Sequence, residues 1–260
     1  MNEEIKSCCA RFYQNDLIQF LLGESFHPGG VELTRRLGEK IDLKPEDCLL
    51  DVASGNGTSA VYLVKEFGCK VVGLDYSHEN IQKAKEKARE ERLENLEFRV
   101  GDAEALPFES KSFDAVISEC ALCTFSDKET AASEMFRILK KGGRIGITDV
   151  TVTDKEALPK DMKDLIYRIS CIAGAKTING YETILENARF RNIAFENHDY
   201  ALLDLVEKIK KRVFLAEVAI GLGKLDIENI NMEKGRRMIQ RTREEIEKGI
   251  LGYVMMTGEK

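Results

Sequence analysis

The sequence has no run of about 18 apolar residues, the length that a membrane-crossing helix requires. No apolar leader is expected either, because the segment Met1, Asn2, Glu3, Glu4, Ile5 and Lys6 is charged where a signal peptide is hydrophobic. An excess of positive charge is missing as well: 39 Lys and Arg stand against 45 Asp and Glu, for a formal net charge of -6. Phosphate-backbone binding needs a concentrated basic surface, which this balance confines to local patches. These absences lead to the expectation of a cytoplasmic protein with neither a membrane nor a nucleic acid as partner. Internal repeats and low-complexity tracts are absent too.

What is present is 260 residues, 43% hydrophobic and 32% charged, enough for one large α/β domain with an elaboration or for two small domains. Seven cysteines without a secretion leader read as free thiols, since the cytoplasm is reducing. Cys48 and Cys69 open apolar runs and fit small buried hydrophobes, whereas Cys120, Cys123 and Cys171 fall near loops or helix starts. Cys8 and Cys9 lie in an N-terminal segment with no assigned element.

Between Ile41 and Val150, short β-rich runs alternate with helical patterns, as in a parallel sheet wrapped by helices. The expected strands are Cys48–Val52, Lys70–Leu74, Leu96–Val100, Phe113–Ser118 and Arg144–Val150. Helices are expected over Thr58–Phe67, His78–Leu93 and Asp127–Leu139, the last stopping at Gly142 and Gly143. Further on, Lys160–Ala173 and Tyr181–Ala188 read as helices, Asn192–Asp199 as an antiparallel strand and Leu251–Thr257 as a last strand. Residues 201 to 248 are helical and charged, with a stripe of Leu202, Leu205, Val206, Ile209, Val213 and Leu215 that suits a core contact better than a membrane face.

Asp51, Val52, Ala53, Ser54, Gly55, Asn56, Gly57 and Thr58 lead from a strand through a glycine-rich turn into a helix, where a ligand can touch the backbone. Gly55, Gly57 and Ala60 also meet the loose dinucleotide pattern, and Asp75 follows Gly55 by 20 residues, so an NAD-type oxidoreductase is one reading. Asp51 argues the other way. A carboxylate at the mouth of the strand repels a pyrophosphate and favours a cofactor carrying an ammonium and a sulfonium. Asp75 is placed to accept hydrogen bonds from two ribose hydroxyls, with Tyr76 beside the adenine. Asp102 is placed for the adenine amino group, with Ala103, Leu106 and Pro107 against the ring. Either aspartate alone fits an ordinary turn or helix cap, and three in register shift the balance toward a ligand site.

Through Asp51–Thr58, Val71–Tyr76, Gly101–Pro107, Phe113–Ile117 and Glu134–Arg144 the chain resembles the class I S-adenosylmethionine-dependent methyltransferases, over roughly residues 41 to 200. The resemblance implies a Rossmann-like, doubly wound, mostly parallel seven-stranded sheet ending in an antiparallel hairpin, with S-adenosyl-L-methionine as cofactor. It implies a core over 41–200, a helical insertion over 201–249 that interrupts the hairpin, and a last strand over 250–260. Residues 1–40, with Phe12, Tyr13, Leu17, Phe20 and Leu21 in a helical pattern, read either as an N-terminal helical lid over the cofactor, in which Tyr13 reaches the methionine end, or as helices packed onto the sheet.

Two segments look more narrowly like the arsenite methyltransferases: Ser118, Glu119, Cys120, Ala121, Leu122 and Cys123 after the fourth strand, and Cys171, Ile172, Ala173, Gly174 and Ala175. In that family paired thiolates bind trivalent arsenic, so the resemblance implies Cys120 and Cys171 as ligands, with Cys123 nearby, and a small-molecule or metalloid substrate. Soft sulfur suits such a thiophilic centre. The chain departs from the family upstream of the glycine loop, where its cysteines are the adjacent Cys8 and Cys9, and Phe26–Gly30 contains no thiol. No resident metal is expected. The open alternative has the three cysteines lining a pocket for an organic metabolite, with Glu119 or His27 as a general base. Glu119 equally suits the cofactor's amino group, and His27, beside Pro28 and two glycines, suits an ordinary loop. A non-catalytic protein that keeps the fold is a third class.

Overall fold

The computed structural model describes residues 13, 16–23, 25–154, 156–159, 162, 171–221 and 232–260. In chain order its elements are α1 (Asp16–Leu22), α2 (Gly30–Lys40), β1 (Cys48–Val52), α3 (Thr58–Phe67), β2 (Lys70–Asp75), α4 (His78–Glu90) and β3 (Leu96–Val100). These are followed by β4 (Phe113–Glu119), a 3-10 turn (Leu122–Thr124), α5 (Lys128–Ile138), β5 (Leu139–Val152), α6 (Ile178–Asn187) and β6 (Arg191–Asn197). Two helices, α7 (Asp199–Gly221) and α8 (Met232–Glu247), then precede β7 (Leu251–Glu259).

The strands form one seven-stranded sheet in the order β3-β2-β1-β4-β5-β7-β6. β1 to β5 pair in parallel, whereas β7 runs antiparallel to both β5 and β6. Both faces are covered, which is why β1 and β2 read as continuous apolar runs rather than alternating ones. Successive residues point to opposite layers. Leu49, Val71 and Tyr253 pack with Leu37, Leu63 and Ala84 of α2, α3 and α4. Their neighbours Leu50, Val72 and Val254 pack with Met135 and Ile184 of α5 and α6. The doubly wound, mostly parallel architecture is therefore the one expected, and α7 and α8 do interrupt the final hairpin.

Local signals set the boundaries. Ser77, Asp127 and Thr177 each accept a hydrogen bond from the backbone N–H three residues on and cap α4, α5 and α6. Gly68, left-handed at φ 69°, closes α3. Several expectations shift. α5 stops at Ile138 instead of running to the Gly142–Gly143 pair, because Leu139 is captured by pairing with Phe113 and opens β5, leaving both glycines in an irregular stretch of that strand. α4 ends at Glu90 rather than Leu93, the chain turning at Arg92 with φ 53°. Of the helix expected over 160–173, most lies outside the described residues, and Cys171 to Gly174 form turns. The α7 stripe holds for Leu202, Val206 and Val213, but Leu215 is 59% exposed and the buried Ala216 takes its place on the inner face. α2, inside the segment expected as a lid, contributes Leu33 and Leu37 to the core. No helix among the described residues is long and apolar enough to cross a membrane.

Candidate active site

Open α/β sheets bind ligands beyond the carboxyl ends of their strands, where the strand order reverses. Here that point lies between β1 and β4, and a cleft with about 850 Å³ of empty space, its open mouth included, sits there. Its walls include Ala53, Gly55, Asp75, Tyr76, Asp102, Ala103, Glu104, Glu119, Cys120 and Tyr13. An adjoining recess is lined by His27, Asp51, Ser54, Thr58 and Ser59, and shares Glu119. All the expected cofactor positions except Gly57 therefore line this cleft or its adjoining recess. Gly57 is buried, and a Cβ there would come within 2.6 Å of Phe98 and 2.9 Å of Ala84, so it fits the loop against β3 and α4.

The loop after β1 turns left-handed twice, at Ala53 with φ 62°, which strains a residue bearing a Cβ, and at Gly55 with φ 55°, which glycine adopts freely. Asp75 ties it down, one carboxylate oxygen accepting from Gly55 N at 2.9 Å and the other from Ser77 N at 2.8 Å. Burial pushes the Asp75 carboxyl up, and those backbone donors with Asn80 partly restore it. Thr58, in the first turn of α3, bonds to Asn56 Oδ1 and receives Lys87 Nζ. Tyr76 is 40% exposed at the rim. Asp102 accepts from Glu104 N at 2.9 Å, which holds the β3 loop in its turn.

Deeper in, Asp51 is 2% exposed and its Oδ2 has no hydrogen-bond partner. Burial, then Glu119 and Asp75, push its carboxyl well above the ordinary range. Buried charge without a partner is costly, and its natural complement is a cation. Glu119, whose side chain is 4% exposed, closes β4 and has Thr34 Oγ1 at 3.2 and 3.0 Å from its two oxygens, with His27 Nε2 at 3.4 Å. Two buried carboxyl groups, one with an unpartnered oxygen, match in charge and hydrogen-bonding character the ammonium of an aminoacyl cofactor.

The three expected thiols converge beside this cleft. Cys120, at φ 53°, and Cys171, at φ 72°, bring their sulfurs to 3.6 Å. The Cys171 thiol also lies 3.2 Å from the Cys120 carbonyl and 3.6 Å from the Tyr13 hydroxyl. Cys123 sits in the 3-10 turn with its N–H donating to Asp149 Oδ2 at 2.7 Å. Close packing of the two segments depends on Gly174, where a Cβ would lie 2.1 Å from the Cys123 carbonyl. The thiols of Cys120 and Cys123, with the Tyr13 hydroxyl, donate to Cys171 and hold it well below the usual thiol range. Donation to Cys171 and burial raise Cys120, and burial with the same donation raises Cys123. Cys171 and Cys123 are 2% and 1% exposed, so Cys120 is the thiol that faces the cleft. Among the described residues no group of three or more His, Cys, Asp or Glu side chains is arranged to hold a metal ion. Cys8 and Cys9 lie outside the described residues.

Sequence reasoning missed Asp149, Thr34 and Tyr253. Asp149 is fully buried, and burial with the neighbouring Cys171 brings its carboxyl up to about 7. Tyr253, from β7, donates to Thr148 at 2.9 Å beneath the thiols. Nothing local marks these residues, which look like ordinary members of a strand or helix.

A family model described as a methyltransferase domain matches residues 43–208. Among curated relatives, the arsenite methyltransferase of Halobacterium salinarum is 32% identical over 160 residues, 60% of this chain and 40% of its own length. The glycine/sarcosine/dimethylglycine N-methyltransferase of Actinopolyspora halophila is 30% identical over 164 residues, 63% of this chain and 29% of its own. The chain thus spans less than two thirds of the length of these relatives. Among solved structures, phosphoethanolamine N-methyltransferase 2 of Haemonchus contortus superposes with a TM-score of 0.79 at 23% identity, covering 93% of this chain and 56% of that one. Geranyl diphosphate C-methyltransferase of Streptomyces coelicolor gives 0.75 at 17% identity, covering 98% and 97%. At those identities the superpositions establish the fold, and the domain match establishes the family: the chain belongs to the methyltransferase domain family.

Proposed function

We propose that this chain is an S-adenosylmethionine-dependent methyltransferase whose acceptor is trivalent arsenic, supplied as arsenite. The observation that carries the acceptor is the Cys120–Cys171 pair, 3.6 Å apart at the wall of the cleft. Metal–sulfur bonds of about 2.3 Å at a tetrahedral angle put two sulfurs about 3.8 Å apart, so one soft atom can bridge this pair with little movement. Cys120, the thiol that faces the cleft, would displace one hydroxide of arsenous acid, its own proton leaving with it as water, and Cys171, favoured as the thiolate, would close the chelate by displacing a second, which takes a proton from solvent. Cys123, buried behind them, donates to Cys171 and supports its thiolate.

When bound, S-adenosylmethionine supplies an electrophilic methyl group on a sulfonium. Asp51 and Glu119 would hold its cationic aminoacyl end, Ala53, Ser54, Gly55 and Thr58 would line its path, and Gly57 would set the loop. Asp75 and Tyr76 would take the ribose and the ring's edge, Asp102 and Ala103 the adenine, and Tyr13 would cover the methionine end. The protein's own part is to orient acceptor and methyl in line and to exclude water. The orphan carboxylate of Asp51 disfavours a dinucleotide pyrophosphate.

Organic acceptors form the second reading. The names of two relatives point to acceptors bearing carboxylate or phosphate, yet among the described residues no Lys or Arg lines this cleft. Neutral arsenous acid needs none. Closely spaced free thiols also persist best in a reducing compartment, which favours the cytoplasm.

The test is transfer from labelled S-adenosylmethionine with and without arsenite plus a small thiol, on the parent, Cys120→Ser and Cys171→Ser. Arsenite-dependent transfer falling by about 100-fold or more in both variants is the expected result, the scale at which removing a metal-site group acts. A parent that binds the cofactor but transfers nothing on adding arsenite overturns the arsenic assignment.

A further inference from the structure

Behind Glu119 lies a polar cluster that methyl transfer itself does not use. His27 precedes α2, Thr34 lies within α2 and Ser59 lies in the first turn of α3; all three are buried, Thr34 completely. His27 Nδ1 is 3.1 Å from the Pro28 carbonyl, which can only accept, so in the neutral ring Nδ1 carries the proton and Nε2 accepts. Ser59 Oγ is 3.1 Å from that Nε2 and supplies its proton there. Thr34 Oγ1 lies 3.4 Å from Nε2, from Ser59 Oγ and from the Gly30 carbonyl, and of its possible acceptors the Glu119 carboxylate, at 3.0 to 3.2 Å, is both the nearest and the charged one, so its proton goes there.

The arrangement matters because Glu119 and the orphaned Asp51 line the same recess and repel each other. An unrestrained glutamate next to another carboxylate turns toward open water, and here the cleft is open. We infer that Thr34, backed by His27 and Ser59, is a positioning residue that holds Glu119 against Asp51 to form a two-carboxylate seat for a ligand ammonium. This rests on the cofactor seat proposed above and adds the group that fixes its geometry. It also gives a use to the His27-Pro28-Gly29-Gly30 turn, whose Gly29 at φ 80° starts α2 and so aims Thr34.

The experiment is calorimetric titration of the full chain with two probes. S-adenosylhomocysteine carries the ammonium but no sulfonium, and 5′-methylthioadenosine carries neither. Thr34→Val keeps the shape and removes the donor. It is expected to weaken S-adenosylhomocysteine by about tenfold, the scale of one hydrogen bond to a charged group, and to leave methylthioadenosine unchanged. Thr34→Ser is expected to restore the parent affinity. In a Glu119→Gln background Thr34→Val should add little, because the two act on one interaction. Equal weakening of both probes, an unchanged affinity in Thr34→Val, or full additivity with Glu119→Gln overturns the positioning role. If Glu119→Gln alone leaves S-adenosylhomocysteine affinity unchanged, the seat itself is wrong and the inference falls with it.

Discussion

Asp51 and Asp149 are both buried carboxyls, yet their titrations should be read in different experiments. Asp51 lies in the ligand recess with one oxygen unpartnered, and its carboxyl is raised well above the ordinary range by burial and by Glu119 and Asp75. A cationic ligand binds the ionised form, so proton loss from Asp51 accompanies binding. Affinity for S-adenosylmethionine is therefore expected to rise with pH above the ordinary carboxylate range, and Asp51→Asn to weaken it and flatten that dependence. A dependence unchanged in the variant assigns the titration elsewhere. Asp149 accepts from Cys123 N and Val150 N and reports on stability instead. Its carboxyl stands at about 7 in the fold against 3.8 ordinarily. The unfolded chain therefore ionises first, and Asp149's contribution, complete at acid pH, is lost as pH rises from about 4 toward 7. Its upper limit is about 4 kcal/mol. Urea unfolding across that range should show a shallower decline in Asp149→Asn than in the parent. The register of Asp51, Asp75 and Asp102 at three strand ends is visible in the sequence, since Asp51 and Asp75 close apolar runs and Asp102 follows the alternating strand Leu96–Val100. Thr34 and Asp149 are not visible, because their roles arise from partners 85 and 26 residues away.

Among the elements, the contact of the Cys171–Ala175 turns with the 3-10 turn Leu122–Thr124 sets the thiol geometry. Gly174 permits it, since a methyl group there would meet the Cys123 carbonyl at 2.1 Å. Gly174→Ala is expected to destabilise the protein by about 1 to 3 kcal/mol, as overpacking does, and to part the two segments. Thiol titration under native conditions should then find Cys171 more reactive; unchanged reactivity and melting temperature would place the contact elsewhere. Most of the sheet was legible because buried parallel strands are apolar runs bounded by capped helices. The α5–β5 junction was not. Leu139, Lys140 and Lys141 suit a helix's last turn, and Gly142 reads as its stop, until the pairing of Leu139 with Phe113 draws the chain into the sheet. Local propensity has no access to that pairing.

Across the molecule, the insertion between β6 and β7 reaches back to the start of the chain. Arg212 of α7 donates to the Leu21 carbonyl at 2.8 Å, and Gly23 is tight against the same guanidinium, where a Cβ would lie 2.6 Å away. From the other side Lys83 of α4 holds Gln19, whose amide donates to the Tyr13 carbonyl at 2.8 Å. Tyr13 in turn lines the cleft, meets Cys171 and lies 6.1 Å from the ring of Phe26, which covers Gly55. The helical insertion, remote in sequence from the glycine loop, thereby anchors the residue that spans ligand cleft and thiols. Arg212→Gln shortens the side chain and removes the guanidinium while leaving the sheet's pairings intact. Amides of α1 are expected to exchange about tenfold faster, with those of β1, β2 and β4 unchanged, because a surface tether governs local rather than global opening. If Tyr13 closes the cleft through this tether, S-adenosylmethionine affinity should fall in the same variant and recover in Arg212→Lys, which restores a donor. Faster exchange with full affinity would show that α1 can loosen without opening the cleft, and would confine the insertion's role to the hairpin it interrupts.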